Sequence, residues 1–142
     1  MEFSLILVPA VRDDQPEPFD NLIEQIELAE GLGYDEIWLT EHHFSQYGRA
    51  AVPALAAQAI ARTSRIRVGA AIVVLPFHHP VRVAEDWATL DHMSQGRVDV
   101  GIGRGNQPAE SRPHDLRSPR LHHRYLHDFR LPPIATLKQA SN

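Results

Sequence analysis

The stretch Glu36-Ile37-Trp38-Leu39-Thr40-Glu41-His42-His43-Phe44 decides how the rest of the chain is read. Ile37, Trp38 and Leu39 suit a strand packed on both faces, and a carboxylate and two imidazoles follow where that strand must end. Parallel α/β sheets gather their chemistry at the carboxyl ends of strands, so this segment predicts a strand that brings Glu41, His42 and His43 to its end, beside a pocket. Consecutive strand residues face opposite sides, which keeps the two imidazoles from sharing that pocket. One imidazole suffices for proton transfer near neutral pH. The competing reading makes both of them hydrogen-bonded loop residues.

On the N-terminal side, Phe3–Val8 is a continuous apolar run stopped by Pro9, as expected of a buried strand. A polar, proline-rich loop over Ala10–Phe19 leads to Asp20, placed to cap a helix in which Leu22, Ile23, Ile26 and Ala29 recur at helical spacing. Gly31 and Gly33 stop it. On the C-terminal side, a loop over 45–53 precedes an alanine-rich helix from Pro53 to Thr63, with the proline in its first turn. Ile66–Leu75 is the strongest strand, β-branched and apolar, and Pro76 ends it. His79 and Pro80 open a third helix whose stripe is Val83, Trp87, Leu90 and Met93, closed by Gly96. A fourth strand, Arg97–Gly105, runs into a glycine-flanked arginine.

Strands therefore start near residues 3, 36, 66 and 97, the spacing of a strand-plus-helix unit. Four such units predict a parallel sheet with Pro9, Thr40–His43, Leu75–His79 and Arg104–Gln107 on one side. Four units are half of an eightfold barrel, which usually takes about 250 residues.

Composition bounds the remaining possibilities. At 142 residues and 43% hydrophobic content, the chain has the length and apolar share of one globular domain. The absence of cysteine excludes disulfides, thiolate nucleophiles and cysteine metal sites. The net charge of -4 gives no footprint for nucleic acid. The apolar N-terminal run is too short to span a membrane and lacks a basic leader, so the expected location is cytoplasmic. Residues 1–107 hold 8 Lys and Arg against 15 Asp and Glu, whereas 108–142 hold 6 against 3. That shift, with no further strand-and-helix alternation, marks 108–142 as a separate basic tail, disordered or one short helix within Asp115–Arg130.

Three strings in order, AEGLGYDEIWLTEHHF, IRVGAAIVVLPFHHPVRVAED and LDHMSQGRVDVGIGRG, make residues 1–107 resemble the N-terminal half of the bacterial luciferase-like, flavin-dependent monooxygenases. The resemblance implies a (β/α)8-barrel family fold, here about four βα units. It implies a site at the strand ends for reduced FMN, or for a related deazaflavin, where oxygen reacts and a small molecule is oxygenated. It also implies a flavin reductase as possible partner and leaves a homo-oligomer open.

Residue by residue, the resemblance makes His42, the first histidine of EHHF, catalytic. It places a cis peptide between Ala71 and Ile72 under the flavin ring, where small side chains at Gly69, Ala70 and Ala71 would let the ring approach the backbone. It assigns Arg104 to the phosphate, which a guanidinium between two glycines can grip bidentately, with Asn106 and Gln107 adding polar contacts. Read alone, GIGRG hints at a dinucleotide loop, but Asn106 replaces the third glycine of that pattern. Glu41 either orients a histidine, lines the pocket, or pairs with a backbone group or an arginine. His78 and His79 suit helix capping and solvent contact. No metal is expected: adjacent histidines diverge, no third ligand is apparent at a strand end, and His122 and His123 lack carboxylate partners at helical spacing.

Because the resemblance stops near residue 107, the expected protein is a truncated member of the family, inactive alone. The alternatives are a non-enzymatic fragment that self-associates through uncovered barrel edges, and a barrel enzyme that binds a phosphorylated substrate without redox chemistry.

Overall fold

The apolar runs become strands of one parallel sheet. The structure, a computed structural model, describes residues 1–9, 18–43 and 51–105. Strand β1 (Ser4–Leu7) leads through helix α1 (Pro18–Gly31) to β2 (Glu36–Leu39), and α2 (Val52–Arg62) leads on to β3 (Arg67–Val74). A 3-10 turn at Leu75–Phe77 and helix α3 (Pro80–Ser94) precede β4 (Val98–Gly103). The strands lie side by side in chain order, all parallel, because each helix returns the chain to start the next strand in the same direction.

Register decides which residues share a face. Leu5, Ile37, Val68 and Val98 form one row, and Leu7, Leu39, Ala70 and Val100 the next row on the same side. Helices cover this side: Ile23 and Ile26 of α1, Ala56 and Ala59 of α2, and Trp87 and Leu90 of α3 join Ile37, Leu39 and Val68 in one buried cluster. Full burial of each aliphatic side chain contributes about 1.5–3 kcal/mol relative to exposure, so this cluster dominates the stability of the sheet.

The outer strands are less buried than their apolar sequences suggest. In β1 Leu7 is buried, but Ile6 is 65% exposed, because alternate residues point to the face that carries no helix among the described residues. In β4 Ile102 is 60% exposed. Met93 does not continue the stripe of α3 and is 63% exposed. From Trp87 and Leu90 the helical period reaches Ser94, which takes the inward position instead.

Helix ends differ from expectation by a residue or two. Helix α1 already begins at Pro18, so Asp20 lies in its first turn rather than capping it. Past its end, Gly33 adopts φ +89°, a conformation open to glycine at little cost. After α3, Gln95 at φ 60° and Gly96 at φ 85° reverse the chain. Of the expected loops, residues 10–17 and 44–50 lie outside the described residues, as does the expected tail helix.

Two charged side chains stitch the helix-to-strand connections. The Glu30 carboxylate accepts the backbone N–H groups of Ser64, Arg65 and Ile66. Burial alone would raise its pKa, yet these three bonds and the Arg65 charge hold it below the usual carboxylate value. Arg97, expected as the first residue of the fourth strand, precedes that strand and donates to the carbonyls of Ile60, Thr63, Ile66 and Ser94. It thereby satisfies carbonyls at the end of α2 that the helix itself leaves without partners.

Candidate active site

Glu41 is the buried hub at the carboxyl edge of the sheet. Thr40 extends the β1–β2 pairing by one step, donating its N–H to the Leu7 carbonyl at 3.1 Å. The next residue, Glu41, is 5% exposed. Its Oε1 lies 2.6 Å from Nε2 of His43 and 2.5 Å from Nε2 of His78. Its Oε2 accepts the Val74 N–H at 3.0 Å. The 3-10 turn after β3 is what carries His78 back to this point, with the His78 N–H closing onto the Leu75 carbonyl at 3.0 Å. Phe77 lies against the His43 ring, with centroids 4.5 Å apart.

Desolvation pushes the Glu41 carboxyl up, but the bonds from His43, His78 and the Val74 N–H outweigh it and hold the group below its usual range. The carboxylate form is the one that two donors and an amide together stabilise. Glu41 thus orients histidines and pairs with a backbone group at once. His78 caps the 3-10 turn and stays partly exposed, but its ring turns onto Glu41, whereas His79 is the exposed N-cap residue of α3 and makes no side-chain cap bond. The sequence did carry one signal for His78: it lies in the stretch Leu75–His79 that follows the third strand, on the same side of the sheet as Glu41. With it, a third potential ligand stands beside Glu41 and His43, contrary to the expectation from spacing along the chain.

His42 sits half-buried between Glu41 and His43 at the same sheet edge. The Ala71–Ile72 peptide is cis, at the bond expected from the resemblance. Between Ala70 and Val73 the pairing of β3 with β4 shifts register. Small residues do not open β3 in the way expected, however. The space above Gly69 is filled by the Trp38 indole, since a Cβ there would come within 2.5 Å of the ring. Ala70 is fully buried on the helix side. The side chain of Ile72 lies against Gly101 and Gly103 of β4, and the Trp38 indole over Gly69, both on the face that carries no helix among the described residues. Beyond β4, Arg104 is exposed and hydrogen-bonds to no other described residue, and Gly105 follows at φ +78°. Asn106 and Gln107 lie outside the described residues.

The opposite end of that face is tied up by polar pairs. Glu36 Oε2 accepts both the Ser4 hydroxyl and the Trp38 indole N–H at 2.7 Å, and Arg67 grips Asp99 through two bonds of 2.6 and 2.8 Å. Each of these groups already has its partner within the sheet. At the carboxyl end stand Glu41 with His43 and His78 against it, His42 beside them in the chain, and Arg104 beyond β4.

Parallel βα units whose described helices all cover one face, with polar groups at the carboxyl strand ends, are the build of the (β/α)8-barrel proteins, of which four strands are half the closed number. Within that class the chain belongs to the luciferase-like monooxygenase family, whose sequence model matches residues 1–129. That match continues past residue 107, where the composition changes. The chain is 43% identical over 98 residues to the 4-hydroxyprotoasukamycin monooxygenase of Streptomyces nodosus subsp. asukaensis, covering 66% of this chain and 26% of that protein. It is 44% identical over 93 residues to the alkanal monooxygenase alpha chain of the Kryptophanaron alfredi symbiont, with 65% and 26% covered. Its fold matches the oxygenating constituent of 3,6-diketocamphane monooxygenase from the CAM plasmid of Pseudomonas putida, solved in complex with FMN. That match has a TM-score of 0.72 and 29% identity, and it covers 78% of this chain and 31% of the other. The chain spans about a quarter of the length of the curated relatives it matches.

Proposed function

We propose that this chain supplies half of a flavin-dependent monooxygenase site, at which reduced FMN and oxygen oxygenate a small molecule. The observation that carries this reading is the gathering of His42, the Ala71–Ile72 segment and Arg104 at the carboxyl side of one parallel sheet in a chain of this family. The residues fit such a cofactor chemically. Trp38 and Ile72 offer an apolar surface to a flat ring, and the exposed Arg104 offers a guanidinium to its phosphate.

When bound, the reduced flavin supplies the electrons that activate oxygen. The chain's own residues bind, orient and move protons. Arg104 anchors the phosphate, with Asn106 as a further polar contact. Ala71 and Ile72 would line the ring. His42 holds or passes a proton at its imidazole, with Glu41 fixing the neighbouring histidine. A flavin reductase in the cytoplasm is the proposed source of reduced cofactor, and a deazaflavin is the alternative occupant.

Titration of FMN with the purified chain, followed by flavin fluorescence, tests the reading. Quenching that weakens about 10-fold or more in Arg104→Ala is expected from loss of one charge-assisted contact. Absence of quenching rejects it. A parallel titration with a deazaflavin separates the two cofactors. A second reading, a self-associating chain without catalysis, is favoured by the exposure of Ile6 and Ile102 on the outer strands. Sedimentation that shows a monomer at all concentrations counts against that second reading.

A further inference from the structure

We propose that Glu41, His43 and His78 form a binding site for a divalent transition-metal ion of the zinc class, cross-linking the end of β2 to the turn after β3. The three ligand atoms, one carboxylate oxygen and two imidazole nitrogens, all lie within 4.8 Å of one another. Two imidazoles and one carboxylate are a donor set that zinc accepts readily, with a fourth position left for water. A tetrahedral ion with bonds of about 2.0–2.2 Å holds its ligand atoms about 3.3 Å apart. Both Nε2 atoms now stand 2.6 and 2.5 Å from Oε1. Admitting the ion therefore opens the two nitrogen–oxygen separations by less than about 1 Å and brings the two Nε2 atoms, within 4.8 Å of each other, to the same spacing.

The surroundings are arranged as a metal site requires. The Val74 N–H holds Oε2 at 3.0 Å, which fixes the carboxylate plane and presents Oε1 to the two rings. Phe77 packs against the His43 ring and restricts its rotation. The Glu41 side chain is 4% exposed, His43 16% and His78 32%, so the site is shielded on the carboxylate side and reached from the His78 side. Where both imidazoles are neutral, binding through Nε2 moves each ring proton to Nδ1 and changes no proton count. The ion thus replaces two N–H contacts to one oxygen by three coordinate bonds. Nothing in this proposal depends on flavin binding.

The full metal-free chain titrated with Co2+ and followed by visible absorption tests the site, with Zn2+ then added as competitor. The expected result is a 1:1 tetrahedral cobalt spectrum, displaced by Zn2+, and a thermal midpoint that rises with Zn2+ concentration. His78→Gln abolishes both effects; far-UV circular dichroism establishes that the variant is folded. If His78→Gln does not fold, His43→Gln is the second variant, with the same loss expected. Four histidines lie in the C-terminal region, so the double variant His122→Ala with His123→Ala serves as control and keeps the signal. No cobalt spectrum, a signal that survives in the folded cluster variant, or one that vanishes in the control, overturns the proposal.

Discussion

His43 and His78 meet at one atom: the Nε2 of each lies against Oε1 of Glu41. A single buried carboxylate therefore ties together the ends of two adjacent βα units. Replacing Glu41 by Ala leaves the Val74 N–H buried without its acceptor and both imidazoles without their shared one. The expected cost is about 1–3 kcal/mol. Urea unfolding of Glu41→Ala measures it, and an unchanged midpoint would show that the carboxylate carries no structural role.

Acid should weaken the fold through the same residue. The folded-state pKa values of Glu41 and Glu30 are both lowered from 4.5. Their contributions are thus complete above the unfolded-state value and are lost as pH falls through the lower folded values. Stability is expected to drop below about pH 4.5. Unfolding midpoints measured from about pH 6 to about pH 3 trace this acid limb, and Glu41→Gln should make it shallower. A limb of equal slope in the variant assigns the effect elsewhere.

Arg97→Ala should be the costlier surface change. Its guanidinium reaches Thr63 Oγ1 at 3.1 Å and four backbone carbonyls, so truncation frees acceptors at the end of α2 and the start of β3. A loss of about 2–3 kcal/mol is expected in chemical denaturation. Arg97→Lys recovers only part, since an ammonium lacks the planar fork. Full recovery by lysine would show that charge alone, not geometry, is at work.

Gly101 and Gly69 are predicted to resist even alanine, for different reasons. A Cβ on Gly101 would stand 2.8 Å from the Ala70 carbonyl oxygen, a backbone atom that cannot rotate away. Gly101→Ala should therefore cost about 1–3 kcal/mol. On Gly69 the obstacle is the Trp38 indole, so Gly69→Ala should displace the ring and break its bond to Glu36. Trp38 emission in a Trp87→Phe background reports this directly, and an unaltered spectrum contradicts the packing described here.

The sequence by itself determined the order and type of the elements. Hydrophobic runs broken by Pro9 and Pro76, and helical stripes ended by Gly33 and Gly96, are local signals that depend on near neighbours only. They sufficed for four parallel strands and for the gathering of His42 and Arg104 on one side. Resemblance, not pattern, supplied the cis peptide at Ala71–Ile72. Tertiary structure decided what each polar group pairs with. His78 joins Glu41 because a 3-10 turn folds back toward the end of a neighbouring strand, and no period along the chain encodes that meeting. Gly69 lost its expected role for the same reason: the indole that fills its space comes from β2, across the sheet. Met93 turned outward because the helical phase set by Trp87 and Leu90 passes to Ser94, and Arg97 became a clamp because three elements end within its reach. Local propensity is written residue by residue, but contacts between strand ends depend on how the chain returns.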